Sequence, residues 1–332
     1  MLCFPFTMAP KSELGIIKRI WGSPMKEALR NVTLRQLQIF MVAAEHESFA
    51  KAAEILHLTQ PAVSMQMKRL AEMVGIPLFA KSGRDLRLTL AGRSLLPYVR
   101  RMTQTLREAG EELDAINGLR HGQVKIGMVT TTQYFAPRLT AEFQKQHPEI
   151  QLDITIANRR RIINKLESNE IDVAIMGRTP KRLEVNAVEF FEHPYVVVAS
   201  PSHPLVSKRS LAPEQLANES FLVREPGSGT RMIFDHFFIK NEAKHPNVQE
   251  FSSNESIKQA VMAGMGIAVI SAHTIHLEKQ AQVMSVLNVK NMPVMQAWLL
   301  LHLSNKVLSP SAEAFKQFMQ AQAPGYMKSI FA

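Results

Sequence analysis

From Phe49 to Arg69 the apolar positions fall into two short helical sets around a tight turn. Ala50, Ala52, Ala53, Leu56 and Leu58 are small or apolar, which predicts a helix that a second helix can approach closely. Thr59 has N-cap chemistry, and Pro61 falls in the first turn, where its missing N–H costs nothing. Val63, Met67 and Leu70 recur at helical spacing and predict the buried face of the second helix. The opposite face carries Gln60, Ser64, Met65, Lys68 and Arg69, residues that reach base edges and phosphates. Gly75 ends this helix and Pro77 forbids its continuation. Leu78 and Phe79 then predict the anchor of a short strand. Ser82 to Asp85 reads as a turn, and Leu86 and Leu88 alternate with Arg87 and Thr89 at a period of two. The prediction is a helix-turn-helix followed by a small wing with Lys81, Arg84 and Arg87 on it. An ordinary packed helix pair or a solvated charged hairpin would share the apolar spacing. The polar, cationic face of the second helix is what points to DNA.

After Gly92 the apolar positions are Leu95, Val99, Met102, Leu106, Ala109, Leu113 and Ile116, with steps alternating between four and three. That is a heptad seam flanked by charged residues, and it predicts a helix that pairs with its counterpart in a second subunit. A helix packed only on its own domain would normally show a wider apolar stripe. Pro97 either kinks this helix or marks a fresh first turn. Pairing would let two recognition helices read two half-sites of a near-palindrome. Asn117-Gly118 and His121-Gly122 break the helix and predict a hinge.

From Gln123 strands and helices alternate. Strands are expected at Val124–Val129, Ile150–Ala157, Ile171–Met176, Tyr195–Ala199, Phe221–Arg224, Val248–Phe251, Gly266–Ile270 and Ala297–His302. Helices are expected at Phe135–Gln146, Arg160–Ser168, Ser256–Ala263 and Ser309–Ala323. This predicts a parallel α/β arrangement in two lobes, the last strand and helix returning to the first lobe. Two lobes joined by two crossings resemble periplasmic-binding-protein sensors, which clamp a small ligand. In open parallel sheets ligands sit off the carboxyl ends of strands, at helix N-termini. Thr130, Thr131 and Thr132 occupy one such place, either holding an oxyanion or simply capping. Asn158 and Arg159 occupy a second, beside the solvated Arg160 and Arg161. Gly227, Ser228, Gly229, Thr230 and Arg231 form a third, where the glycines admit a ligand to the backbone and the polar side chains suit anionic oxygens.

Composition narrows the partners. The 332-residue chain has room for two or three domains, and its net charge of +10 favours a polyanion without separating nucleic acid from a membrane surface. The single cysteine, Cys3, excludes a disulfide framework and any Cys-rich zinc site. No apolar run approaches the ~20 residues that span a bilayer. Residues 1–30 carry no clean signal-peptide core, and Met25 stands where a start codon would, so this stretch reads as a poorly ordered extension, with a functional arm as the alternative.

The run from Thr33 to Gly92 resembles the winged helix-turn-helix of the LysR-type transcriptional regulators. It matches at Leu34-Arg35-Gln36-Leu37, Phe40, Ser48-Phe49, Ala52-Ala53, Thr59-Gln60-Pro61-Ala62-Val63-Ser64, Leu70, Gly75, Leu78-Phe79, Leu88-Thr89 and Ala91-Gly92. Ala71 stands where the family commonly has Glu. Lys81 stands where it commonly has Arg, which keeps the charge but loses a bidentate fork. The resemblance implies an α/β protein with a winged helix-turn-helix at 31–90, a linker and dimerisation helix with hinge at 91–121, and an effector-binding domain at 122–332. Within the last, lobe I covers about 122–196 and 294–332, and lobe II about 197–293. It implies that Arg35 and Pro61 join the DNA-binding set. It further implies a cytoplasmic homodimer, assembling to a tetramer, that binds a pseudo-palindromic double-stranded operator, engages RNA polymerase and needs no cofactor, metal or membrane. The segments TTTQYFAP, ANRR and REPGSGTR look most like the regulators of Rubisco operons. That implies activation of Calvin-cycle genes and a small phosphorylated or carboxylated metabolite, or a nucleotide, as effector.

The competing readings are an enzyme, a small-anion-binding protein without a DNA role, or a LysR-type regulator of another operon. There is no Gly-x-Ser-x-Gly elbow, Walker loop or dinucleotide fingerprint. His273 and His276 could share a helix face, but only Glu278 lies nearby as a third metal ligand.

Overall fold

The computed structural model describes residues 29, 31–82, 85–116 and 122–331, less the side chains of residues 81, 82, 85, 112, 115 and 116. The expected N-terminal extension, the hinge at Asn117 to His121 and Arg84 lie outside the described residues.

The chain divides into two compact units, the first ending at Leu106 and the second starting at Arg107. In the first, α1 (Leu34–His46), α2 (Phe49–Ile55) and α3 (Gln60–Val74) pack around Phe40, Ala52, Val63 and Leu70, all buried. Each helix starts where the sequence supplies a cap. Thr33 and Gln36 form a reciprocal capping box, the Gln36 N–H donating to Thr33 Oγ1 at 3.2 Å and the Thr33 N–H to Gln36 Oε1 at 3.0 Å. Ser48 and Thr59 cap α2 and α3 by the side-chain oxygen alone, accepting from the Lys51 and Ala62 N–H groups. Gly75 closes α3 with a φ of 76°, a conformation that disfavours any residue with a Cβ. The wing is β1 (Phe79–Ser82) paired antiparallel with β2 (Asp85–Leu88), Phe79 opposite Leu88. Phe79 meets Phe40 and Phe49 edge-on, with centroids 5.5 and 5.2 Å apart, which ties the wing to the helices.

The linker α4 runs unbroken from Leu90 to Ile116, about 40 Å at the helical rise. It therefore starts before the expected seam. Pro97 neither ends nor restarts it; the missing N–H deprives only the Arg93 carbonyl of its usual partner. The seam itself divides. Leu95 and Val99 pack into the core of the first unit, which is why that unit extends to Leu106. Met102, Leu106, Ala109 and Leu113 stay exposed in the single chain, and the side chain of Ile116 lies outside the described set.

In the second unit the elements in order are β3 (Gly122–Val129), a 3-10 turn (Thr130–Tyr134), α5 (Ala136–Gln146), β4 (Ile150–Ala157), α6 (Arg159–Glu167), β5 (Val173–Met176) and β6 (Val185–Ala199). Then come β7 (Ser220–Arg224), α7 (Gly229–Lys240), β8 (Asn247–Phe251), α8 (Asn254–Met262), β9 (Ala268–Ser271), α9 (His276–Gln280), β10 (Ser285–Val286), β11 (Val294–Leu303), α10 (Pro310–Ala321) and α11 (Ala323–Phe331). The main sheet has the order β10-β6-β11-β5-β3-β4, with β9 also on β6. Within this sheet β3 pairs parallel with β4 and β5, while β6 and β11 run antiparallel to each other and to their other neighbours; β7 and β8 pair parallel in a separate two-stranded sheet. The expected parallel sheet is thus a mixed one. The reason is β6, a 15-residue strand of which the sequence disclosed only the apolar end. Its first part, Val185 to Pro194, carries Glu189, Glu192 and His193 and shows no continuous apolar run. One lobe's core holds Phe135, Phe143, Trp298 and Phe315; the other's holds Phe221, Phe234, Phe237 and Phe238. The C-terminal helix expected at Ser309–Ala323 is α10, Pro310–Ala321, and it is followed by a further helix, α11, that the sequence did not mark, the break falling beside Pro324.

Candidate DNA interface and effector cleft

On α3, Val63, Met67 and Leu70 face inward, while Gln60, Pro61, Ser64, Met65, Lys68 and Arg69 are exposed on one surface. Gln66, between them, turns inward to accept from Gln36 Nε2 at 3.2 Å. Lys68 and Glu72 form a loose exposed pair at 3.9 Å, which holds the lysine only weakly. Arg87 is exposed on β2 of the wing. Lys81 lies on β1, its side chain outside the described set. Arg35 does different work from its neighbours in the predicted set. It donates to the Leu56 carbonyl at 3.3 Å and to Gln38 Oε1 at 3.4 Å, so it also caps the C-terminus of α2.

In the second unit three chain segments far apart in sequence converge. Thr130, Thr131, Asn158, Arg159, Ser228, Gly229 and Thr230 line one cleft that is open to solvent. Asn158 caps α6 and Ser228 caps α7, so the N-termini of both helices sit at this cleft. Their positive ends and unpaired N–H groups suit an anion. The capping is real: Asn158 Oδ1 accepts from the Arg161 N–H at 3.0 Å, and Ser228 Oγ from the Arg231 N–H at 3.2 Å.

Three residues expected with them lie elsewhere. Thr132 is fully buried and its hydroxyl donates to the Val129 carbonyl at 2.8 Å, so it completes a turn. Gly227 sits in the preceding turn at a φ of 90° and does not line the cleft. Arg231 turns along its own helix, its Nε donating to the Asp235 carboxylate at 2.9 and 3.2 Å. The i,i+4 carboxylate captures the guanidinium before it can reach the cleft. Arg159 does line the cleft, but its guanidinium donates to the carbonyls of Arg178 at 2.6 Å and Thr179 at 2.9 Å. Burial, and then the neighbouring Arg178, lower its pKa.

The cleft also holds residues that the sequence did not mark: Gly177, Arg178, His193, Tyr195, Met232 and Gln296. His193 is 1% exposed, and its ring lies flat on Trp298 at 3.8 Å and 12°. Its Nε2 is 3.0 Å from Ser271 Oγ. Its Nδ1 has no hydrogen-bond partner among the described residues. Burial, followed by His273, holds its pKa well below the usual histidine value, so the ring is neutral. Tyr195 is buried beside Thr230, and burial raises its pKa, which keeps the phenol protonated. Arg224, at the end of β7, is the second omission. It is 2% exposed, binds the Glu225 carboxylate at 2.8 and 3.0 Å and Asn254 Oδ1 at 2.9 Å, and reaches Thr130 Oγ1 at 3.4 Å. An arginine closing an apolar strand and followed by glutamate was its only signal in the sequence.

The histidine pair that might have suggested zinc is otherwise engaged. His273 Nδ1 accepts from Trp298 Nε1 at 3.0 Å and the ring stacks on Phe331, while Glu278 pairs with Lys258.

A winged head with an exposed polar helix, joined to a two-lobed domain with an anion-suited cleft, defines a ligand-sensing DNA-binding regulator. Residues 34–93 match the bacterial regulatory helix-turn-helix of the LysR family, and residues 117–324 match the LysR substrate binding domain. The chain belongs to the LysR family and is a transcriptional regulator, not an enzyme. It is 41% identical over 293 residues to a RuBisCO operon transcriptional regulator of Allochromatium vinosum, covering 88% of this chain and 97% of that one. It is 43% identical over 295 residues to the HTH-type transcriptional regulator CfxR of Cupriavidus necator, covering 89% and 93%. Among solved structures, the CcmR regulatory domain of Synechocystis PCC6803 in complex with 2-PG superposes with a TM-score of 0.58 at 33% identity, covering 60% of this chain and 97% of that one. No helix among the described residues is long and apolar enough to cross a membrane.

Proposed function

We propose that the chain is an effector-responsive activator of a CO2-fixation operon, working in the cytoplasm as a homodimer that pairs into a tetramer and engages RNA polymerase. The exposed face of α3 reads bases through Gln60, Ser64 and Met65. Lys68, Arg69, Arg87 and the wing residues Lys81 and Arg84 neutralise phosphates. The exposed seam Met102, Leu106, Ala109 and Leu113, with Ile116, pairs the subunits. Identity near 40% to RuBisCO-operon regulators over almost the whole chain supports the choice of operon.

The observation that carries the sensing role is the convergence of two capped helix N-termini, Asn158 on α6 and Ser228 on α7, with Thr130 and Thr131 on one cleft. That geometry favours a small phosphorylated or carboxylated metabolite. A ligand shifts the lobes only if it prefers one arrangement, so the response is a changed footprint or bend more than a loss of affinity. The test is footprinting of the chain's own upstream DNA with and without 2-PG, for wild type and Thr131→Val. Wild type should change its footprint on adding 2-PG, and the variant should bind the operator but not respond. Equal responses from both proteins would remove the cleft from the mechanism.

A further inference from the structure

A buried polar atom with no partner, facing a cleft, calls for an explanation, because desolvating it without a hydrogen bond is costly. His193 Nδ1 is, among the described residues, a buried atom without a partner on a side chain that lines the cleft. The ring is locked on every other side. Trp298 covers one face at 3.8 Å, Tyr195 packs at 4.5 Å, and Nε2 is bonded to Ser271 at 3.0 Å. The remaining edge borders Gly177, which lines the same cleft. A Cβ at position 177 would stand 2.9 Å from Nδ1, closer than any real side chain tolerates. Glycine at 177 therefore keeps any side chain off this edge of the ring, at the wall of the cleft.

We propose that His193 is a specificity-determining residue of the effector cleft: a neutral, fixed donor whose Nδ1–H, reached past Gly177, binds a second oxygen of the effector. This rests on the anion-cleft reading above and deepens it. The 3.0 Å bond between Nε2 and Ser271 Oγ suits either ring tautomer; with the Ser271 hydroxyl as its donor, as proposed, the ring proton sits on Nδ1, facing an acceptor oxygen of the ligand. Held neutral by burial, the ring adds direction without adding charge. It therefore separates effectors by where their oxygens lie and not by how much charge they carry. The helix N-termini take one anionic head, and His193 takes a carboxylate, carbonyl or hydroxyl oxygen beyond it. The effector class is a small acid with two oxygen-bearing ends. A single-headed anion satisfies only half the site.

The experiment is calorimetry on the full chain with two probes, 2-phosphoglycolate (phosphate and carboxylate ends) and inorganic phosphate (one end). Wild type should bind 2-phosphoglycolate at least about tenfold tighter than phosphate, the scale of one hydrogen bond to a charged group. Gly177→Ala, which keeps His193 but crowds Nδ1, should lose that preference, its affinity for 2-phosphoglycolate falling towards its own affinity for phosphate. His193→Phe should behave the same way. In wild type, the imidazole nitrogen resonance of His193 Nδ1 should shift on adding 2-phosphoglycolate and stay put with phosphate, a readout that does not depend on any variant folding. An unmoved Nδ1 resonance, or variants that retain the preference, would overturn the role of His193 and leave the cleft intact. Wild type that binds neither probe would overturn both readings.

Discussion

The recognition face of α3 and the effector cleft both present polar groups at helix ends, yet they treat their cations in opposite ways. On the head, Lys68, Arg69 and Arg87 are exposed, and among the described residues the one ion pair they make is the loose Lys68–Glu72 contact. In the sensor, Arg159 is tied to two carbonyls, Arg224 to Glu225 and Asn254, and Arg231 to Asp235. Free cations suit a polyanion whose affinity comes from releasing counterions, a term that tolerates imprecise placement. A small ligand must be told from others of like charge, and on the proposed reading the sensor commits Arg159, Arg224 and Arg231 to holding the walls. The cleft lining is then helix N-termini, hydroxyls and a neutral imidazole, with Arg178 as its further arginine. Steering belongs to the head and discrimination to the cleft.

The largest expected effect tests whether the head's reach depends on pairing. Leu106→Glu with Leu113→Glu puts charges on the exposed seam, where burial in an apolar interface is costly. Sedimentation should show monomers. Operator affinity should fall by about a hundredfold or more, since the second half-site then gives no effective concentration. Unchanged sedimentation would remove α4 from the interface.

The next effect separates reading from steering within the head. Gln60→Ala should cost about 1–3 kcal/mol on the operator and little on random DNA, with the salt slope unchanged. Arg87→Ala should weaken both DNAs alike and reduce the salt slope by about one phosphate. Band-shift titrations across salt concentrations would distinguish the two patterns, and identical patterns would break the division.

Acid should expose the cost of the sensor's neutral imidazoles. Burial depresses the pKa of both His193 and His273, the latter to about 4. The unfolded chain takes up protons below about pH 6.5 that the folded chain refuses. The stability from these groups is thus complete above pH 6.5. It falls as pH drops, by up to about 1.4 kcal/mol per pH unit for each, until the folded values are reached. Thermal unfolding of the second unit between pH 7.5 and pH 5 would show it. A melting temperature flat over that window would contradict the burial of neutral rings.

The smallest effect concerns Arg231. Its commitment to Asp235 implies that Arg231→Ala changes effector binding by about fivefold or less, an ordinary partly exposed pair. Loss of binding in calorimetry would show that the arginine leaves Asp235 when ligand arrives.

These contrasts explain what the chain disclosed in advance. The head was legible because its chemistry is local. Val63, Met67 and Leu70 repeat at one helical period, and the caps Thr59 and Gly75 stand beside the elements they bound. Three segments of the cleft were legible for the same reason, as turns between a strand and a helix. The floor was not. His193 reaches the cleft because β6 lies beside β11 and β9, and those pairings join residues far apart in the chain, Tyr195 with Ser271 and His193 with Gln296. Position in the turn favoured Arg231, yet Asp235 one helical turn on was already visible as its captor. Arg224, ending an apolar strand, gave no sign that its guanidinium would reach Thr130. The seam misled in one respect: a four-three spacing does not say which turns a helix spends on its own domain, as Leu95 and Val99 are spent.

Strand β6 has a mechanical consequence. It pairs along its first part with β11 and along its end with β9 and β10, so one uninterrupted segment is stitched into both lobes. Lobes joined by loops swing about a few free dihedrals. Lobes sharing a strand can rotate only by changing its twist, and the restoring force is spread over its residues. Under the proposed ligand-driven closure such a strand would act as a torsion bar, storing the work of closure while ligand is bound and returning it on release. Its amides at Val196, Val197 and Val198 should be among the slowest in the molecule to exchange with solvent, in the empty and the filled state alike.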